Sequence, residues 1–187
     1  MKSILTVEDR VYKIEDGFEV PDKTMVFPIF GPRQQQLAGL EISDYMSLAM
    51  GELEKLETSS IHVHPLVAHL TWVMSGSLSV KMKDPENNEA YRLDLNPMQA
   101  VYTAPGTFFQ LINRGVDTCK ILYQVAPAFV FDMTPEGEVR YNDAIVLSGY
   151  SWEKLKEMNW KIPELDIDLA QVKAERQAAI NRMNNLK

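Results

Sequence analysis

The chain has 187 residues but only one cysteine, Cys119, and only three histidines. A single thiol excludes any disulfide within the chain, so the core alone must hold the fold, and no oxidising compartment is needed. Long apolar runs are missing too. Nothing approaches the roughly 18 consecutive apolar residues of a membrane helix, and the stretch Met1-Lys2-Ser3-Ile4-Leu5 does not resemble a signal peptide. Positive charge is short: 19 Lys and Arg against 26 Asp and Glu leave a net charge of -7. That argues against nucleic acid or an anionic membrane as partner. The expectation is a cytoplasmic protein whose partner is a small molecule. Apolar and charged fractions of 45% and 24% are those of an ordinary soluble protein. The length suits a single domain with a sizeable core.

The scarce histidines fall within eight residues of one another, in Ser59-Ser60-Ile61-His62-Val63-His64-Pro65-Leu66-Val67-Ala68-His69. A spacing of two puts His62 and His64 on the same face of a strand. Neutral imidazole is the commonest metal ligand near neutral pH because it offers a lone pair. Two such rings on one face, with a third across a turn, are the start of a metal site. His69 lies five residues after His64, which on one straight strand would face it the other way. The bend expected at Pro65 gives it to the next strand instead.

Residues 41–127 read as strand, turn, strand. The expected strands are 45–54, 60–64, 67–74, 78–83, 90–95, 99–103, 107–112 and 119–125. The turns between them fall at Pro65, Ser75-Gly76, Asp84-Pro85, Asn96-Pro97, Pro105-Gly106 and Asn113-Arg114-Gly115. Many short strands at such spacing suggest an all-β sandwich or barrel. Residues 1–40 read as an N-terminal arm of short strands or loops, and 128–187 as a C-terminal α-helical extension. In that extension Ser151 caps a short helix. From about Asp166, Leu169, Val172, Ala179, Ile180, Met183 and Leu186 form an apolar stripe at helical spacing, interrupted by Arg176. The stripe would pack on the barrel exterior or on a second subunit.

Two segments resemble the motifs of the cupin superfamily. Its first motif is G-x5-H-x-H-x3,4-E-x6-G. Here His62-x-His64-x4-His69-x6-Gly76 keeps the spacing, with His69 at the glutamate position and Leu56 at the opening glycine. The second motif is G-x5-P-x-G-x2-H-x3-N. It is matched by Gly106 and Asn113, with Met98 at the opening glycine, Ala104 at the proline and Phe109 at the last histidine ligand. The resemblance covers about residues 45–127. It implies an all-β, cupin-type double-stranded β-helix, a jelly-roll barrel, with the metal held by His62, His64 and His69. Phe109 takes the place of the fourth ligand.

Three imidazoles add no charge, so a divalent ion would keep its full double charge. That favours an anionic substrate or an activated water. The resemblance implies a mononuclear metal-dependent enzyme acting on a small carbonyl, enol or carboxylate compound. A non-heme Fe(II) dioxygenase is favoured; Zn, Ni, Mn or Cu also suit the ligands. The alternatives are a metal-dependent isomerase, decarboxylase, lyase or cyclase, and a small-molecule-binding barrel without catalysis. Inward strand positions nominate Thr71, Val73, Phe109 and Leu111 as the substrate pocket, and Tyr102 as a catalytic acid or hydrogen-bond donor. Trp72 and Tyr123 are expected in the core. The arm and the last helix each offer a homodimer surface.

Overall fold

A computed structural model describes residues 11–166 and 168–185. The strands are β1 Phe18–Glu19, β2 Met25–Phe30, β3 Ser47–Leu53, β4 His62–Val63, β5 Ala68–Ser75, β6 Leu78–Lys83, β7 Tyr91–Leu95, β8 Ala100–Thr103, β9 Phe108–Asn113, β10 Cys119–Ala126, β11 Phe131–Met133, β12 Val139–Asn142 and β13 Ile145–Val146. The helices are α1 Pro32–Leu37, α2 Trp152–Glu157 and α3 Leu169–Asn185.

Two antiparallel sheets face each other. One has the order β1-β2-β3-β10-β5-β8, the other β13-β4-β9-β6-β7, and β11 and β12 pair separately. From β3 to β10 the chain passes repeatedly from one sheet to the other. The exception is the β6–β7 hairpin, which stays within one sheet. This is the jelly-roll arrangement, and the expected strands fall within a few residues of the observed ones. Strict alternation explains why. On β10, Cys119, Ile121, Tyr123 and Val125 are buried while Lys120 and Gln124 are exposed, so one face of the strand meets the core. Leu53, Val73, Leu78, Val80, Leu111 and Ile121 fill the space between the sheets. Each side chain so buried contributes about 1.5–3 kcal/mol.

The backbone retains the motif's turns even where the residues differ. Leu56 and Met98, at the two opening glycine positions, have φ of 61° and 69°. For a side chain bearing Cβ this left-handed conformation costs about 1–2 kcal/mol. Asn113 staples the far end of β9: its Nδ2 donates to Leu53 O, Glu54 O and Asp117 O at 2.8–3.0 Å, and its Oδ1 accepts from Gly115 N.

The flanking segments differ from expectation. Of the arm over 1–40, residues 1–10 lie outside the described residues. The remainder adds β1 and β2 to the sheet beside β3, and Pro32–Leu37 is a helix rather than a loop. Proline at a first helical turn followed by three glutamines suits that outcome. The extension is not wholly helical either: β11, β12 and β13 precede α2, and β13 pairs with β4. Strands of two to four residues are too short to show a period.

The cap at Ser151 is present, its side chain accepting from Lys154 N. Helix α2 covers the outer face of the five-stranded sheet through Trp152 and Leu155 against Ile61 and Phe108. Helix α3 packs Ala179, Ile180 and Met183 against Ile42, Val130 and Tyr141 of its own chain. Leu186, the last residue of the stripe, lies outside the described residues. No helix among the described residues is long and apolar enough to cross a membrane.

Candidate functional site

His62 lies on β4 opposite Phe109 of β9. His64 follows at the end of that strand. Pro65 turns the chain, and His69 enters β5 between Thr103 of β8 and Val125 of β10. The bend therefore places His69 on the same interior as the other two. All three are buried, at 4%, 6% and 7% exposure. Ring centroids are 4.2 Å apart for His64 and His69, and 5.4 Å for His62 and His64.

Hydrogen bonds set two of the rings. His62 Nδ1 is 2.9 Å from Ser60 O, and His64 Nδ1 is 3.2 Å from Asp143 O. A carbonyl oxygen only accepts, so each Nδ1 carries a proton, and in a neutral ring so held the lone pair lies on Nε2. Metal-binding histidines are oriented in this way. His62 Nδ1 also lies 3.4 Å from Asp22 Oδ2. His69 is different: neither ring nitrogen has a partner, although both are buried. A buried polar group left so costs about 1–3 kcal/mol. Burial, with the neighbouring histidines second, holds His64 well below the ordinary imidazole range. Burial and then His62 push His69 down to about 3. Both rings are neutral at neutral pH, the form that binds metal.

The donor chemistry thus fits a divalent ion. The resting ring positions do not yet gather: among the described residues, no three His, Cys, Asp or Glu side chains are set around one ion. Phe109 packs against all three imidazoles, with centroids 3.9 Å from His62 and 5.7 Å from His64 and His69. Drawing three nitrogens onto one ion calls for the rings to turn from these positions.

Thr71, Val73, Phe109 and Leu111 do face inward, but each is at most 1% exposed. Val73, Phe109 and Leu111 are packed into the hydrophobic core rather than lining an open pocket. Tyr102 is a correction. It is 62% exposed and lies on the outer face of its sheet beside Leu70, because alternation on β8 turns Val101 and Thr103 inward instead. Trp72, on the same outer face, is also partly exposed. The inward phenol is Tyr123, whose ring centroid is 6.3 Å from that of His69. Gly51 makes room for it, since a Cβ there would come within 2.5 Å of the ring. Burial raises the Tyr123 phenol well above its ordinary value, so it stays protonated. The sequence reading also passed over Asp22 and Asp143. The signal for Asp143 was Arg176, a charge inside an apolar stripe that needs a buried carboxylate.

No family model matches the chain, and no curated protein matches it. Solved structures do. Peruvianin-I, a cysteine peptidase from Thevetia peruviana latex, aligns with a TM-score of 0.58 at 13% identity, covering 78% of this chain and 81% of that one. CapF aligns with a TM-score of 0.51 at 14% identity, over 76% of this chain and 36% of that one. The Drosophila melanogaster CENP-C cupin domain aligns with a TM-score of 0.48 at 10% identity, over 58% and 72%. At such identities the first two speak to the fold alone. Topology and motif turns agree with them: the chain has the cupin-type double-stranded β-helix fold. The one cysteine, Cys119, is buried, and burial pushes its thiol up to about 11.

Proposed function

We propose that the barrel binds one divalent metal ion through His62, His64 and His69. It would act as a metal-dependent enzyme on a small molecule bearing a carbonyl, enol or carboxylate. One observation carries this reading: a buried imidazole, His69, with both nitrogens unpartnered, beside two imidazoles whose Nδ1 atoms are held by carbonyl oxygens. A bound Fe(II) would supply dioxygen activation, and Zn, Ni, Mn or Cu would supply Lewis-acid polarisation. The chain's own part is distinct. Its neutral ligands leave the ion's charge uncompensated, which favours an anionic substrate. Phe109 and the apolar wall exclude water, and Tyr123 is a protonated phenol available as a hydrogen-bond donor. Fe(II) dioxygenase chemistry is the first form to test.

The test is elemental analysis of tag-free protein purified anaerobically, beside His62→Ala and His69→Ala. Near-stoichiometric iron lost in both variants, with oxygen uptake on small keto acids or diketones, supports the dioxygenase. Zinc, nickel or manganese without oxygen uptake moves the assignment to an isomerase, decarboxylase, lyase or cyclase. The packing of Phe109 against the three rings favours a second reading, a metal-free binding barrel. Absence of metal from folded protein, with both variants unchanged, would establish it.

A further inference from the structure

We propose that Arg176, on the C-terminal helix, is a positioning residue for His64 and acts through Asp143. The consequence for metal affinity rests on the metal-site reading above; the positioning itself does not.

The Nδ1 proton of His64 goes to the main-chain oxygen of Asp143, 3.2 Å away. That oxygen sits in the short link between β12 and β13, two residues before Ile145, which pairs with Val63 of β4. Pairing of β13 with β4 holds the far end of the link, and the contacts that hold Asp143 itself converge on its side chain. Its Oδ1 accepts from Tyr141 OH at 2.5 Å. Its Oδ2 accepts from Val130 N at 2.6 Å and from Arg176 Nη1. The Asp143 amide in turn donates to Val130 O at 3.2 Å. Arg176 completes the arrangement by donating Nη2 to Ala128 O at 2.5 Å. The guanidinium fork therefore ties the carboxylate to the 128–130 strand approach, and the carboxylate's own backbone presents the acceptor to His64.

The placement is costly for a residue that merely docks a helix. Asp143 and Arg176 are 2% and 6% exposed, and removing two charges from water costs several kcal/mol per ion before pairing. Apolar side chains of similar volume at such sites are often neutral or stabilising. Docking has other means: Arg182 Nε meets Asp132 Oδ2 at 2.7 Å, Gln36 Nε2 donates to Met183 O at 3.0 Å, and Asn184 Oδ1 accepts from Ile42 N at 3.1 Å. None of these touches Asp143. What the buried pair adds is a fixed direction for one carbonyl, and hence one tautomer and one ring orientation for His64.

The experiment compares Arg176→Met and Arg176→Lys with Arg182→Met, which loosens the same helix without touching Asp143. Two readouts are taken: the tautomer of His64 from long-range ¹H–¹⁵N spectra of the metal-free protein, and Co(II) affinity by absorbance titration. Arg176→Met is expected to lose the single Nδ1–H tautomer and to weaken Co(II) binding about 10–100-fold. Arg182→Met is expected to keep the tautomer. Arg176→Lys keeps the charge but lacks the fork, and should fall between wild type and Arg176→Met. If Arg176→Met does not fold, Arg176→Lys carries the same comparison. An unchanged tautomer in folded Arg176 variants overturns the proposal, as do equal losses in the Arg176 and Arg182 variants. Wild-type protein that takes up no Co(II) defeats the metal-site reading, while the tautomer comparison still decides the positioning role.

Discussion

The barrel interior has two unlike ends. In one, Leu53 lies opposite Cys119, Val73 opposite Ile121, and Leu78 opposite Asn113. In the other, His62 lies opposite Phe109, and His69 opposite Thr103 and Val125. Both ends bury polar groups, but they treat them differently. Asn113, at the packed end, has its amide bonded on both the nitrogen and oxygen sides within the chain. His69, Thr71 and Thr103, at and beside the other end, have side-chain atoms with no partner. Buried polar groups are nearly always paired. An end that leaves several unpaired has given up stability, and an exogenous ligand is the natural compensation. The packed end holds the fold; the histidine end gives up part of that stability, as the proposed metal site would require.

Substitutions can break this contrast. Leu111→Ala, at the packed end, should cost about 2–5 kcal/mol in urea unfolding without changing the metal content of the folded fraction. A loss of metal alone would show that the ends are not separable. Acid should act on the other end. Metal-free His69 titrates at about 3 when folded and near its ordinary value when unfolded, and His64 is displaced in the same direction. The unfolded state then binds more protons between these values. Their contribution is complete above about pH 6.5 and is lost as pH falls toward 3, by on the order of a few kcal/mol. Chemical denaturation across that range in metal-free protein checks the slope.

His69→Leu sharpens the comparison further. Removing an unpaired buried imidazole should leave the metal-free fold unchanged or stabilise it by about 1–3 kcal/mol, while abolishing metal uptake. Destabilisation would mean that His69 has a structural partner. Leu56→Gly and Met98→Gly relieve left-handed backbone at exposed positions and should each raise stability by about 1 kcal/mol in thermal melts, offset in part by glycine's chain entropy. Tyr102→Phe is expected to change stability by less than about 0.5 kcal/mol and turnover not at all. A drop in turnover would restore the role that its outward position denies.

Much of this was legible in the sequence. Alternation and Pro or Gly turns located the barrel strands, because a half-buried strand must alternate. Spacing alone brought His62, His64 and His69 together, with Pro65 predicting the bend that turns His69 inward. Strand phase was the weak point: Tyr102 and Thr103 differ by one residue, and a one-residue error exchanges inside for outside. The Arg176–Asp143 pair was out of reach because the partners sit on elements far apart in the chain, one of them a link between strands of four and two residues. Only the misplaced charge in the helix stripe hinted at it.

The edge strand β13 has a consequence for how the molecule is made. β4 is two residues long, flanked by β9 on one side and by Ile145 and Val146 of β13 on the other. A nascent chain that has reached residue 130 already contains every strand from β3 to β10 and all three histidines. Its histidine strand would still have a bare edge. Residues 145 and 146 cover that edge, so the strand carrying His62 is completed by residues that lie outside the motifs defining the barrel.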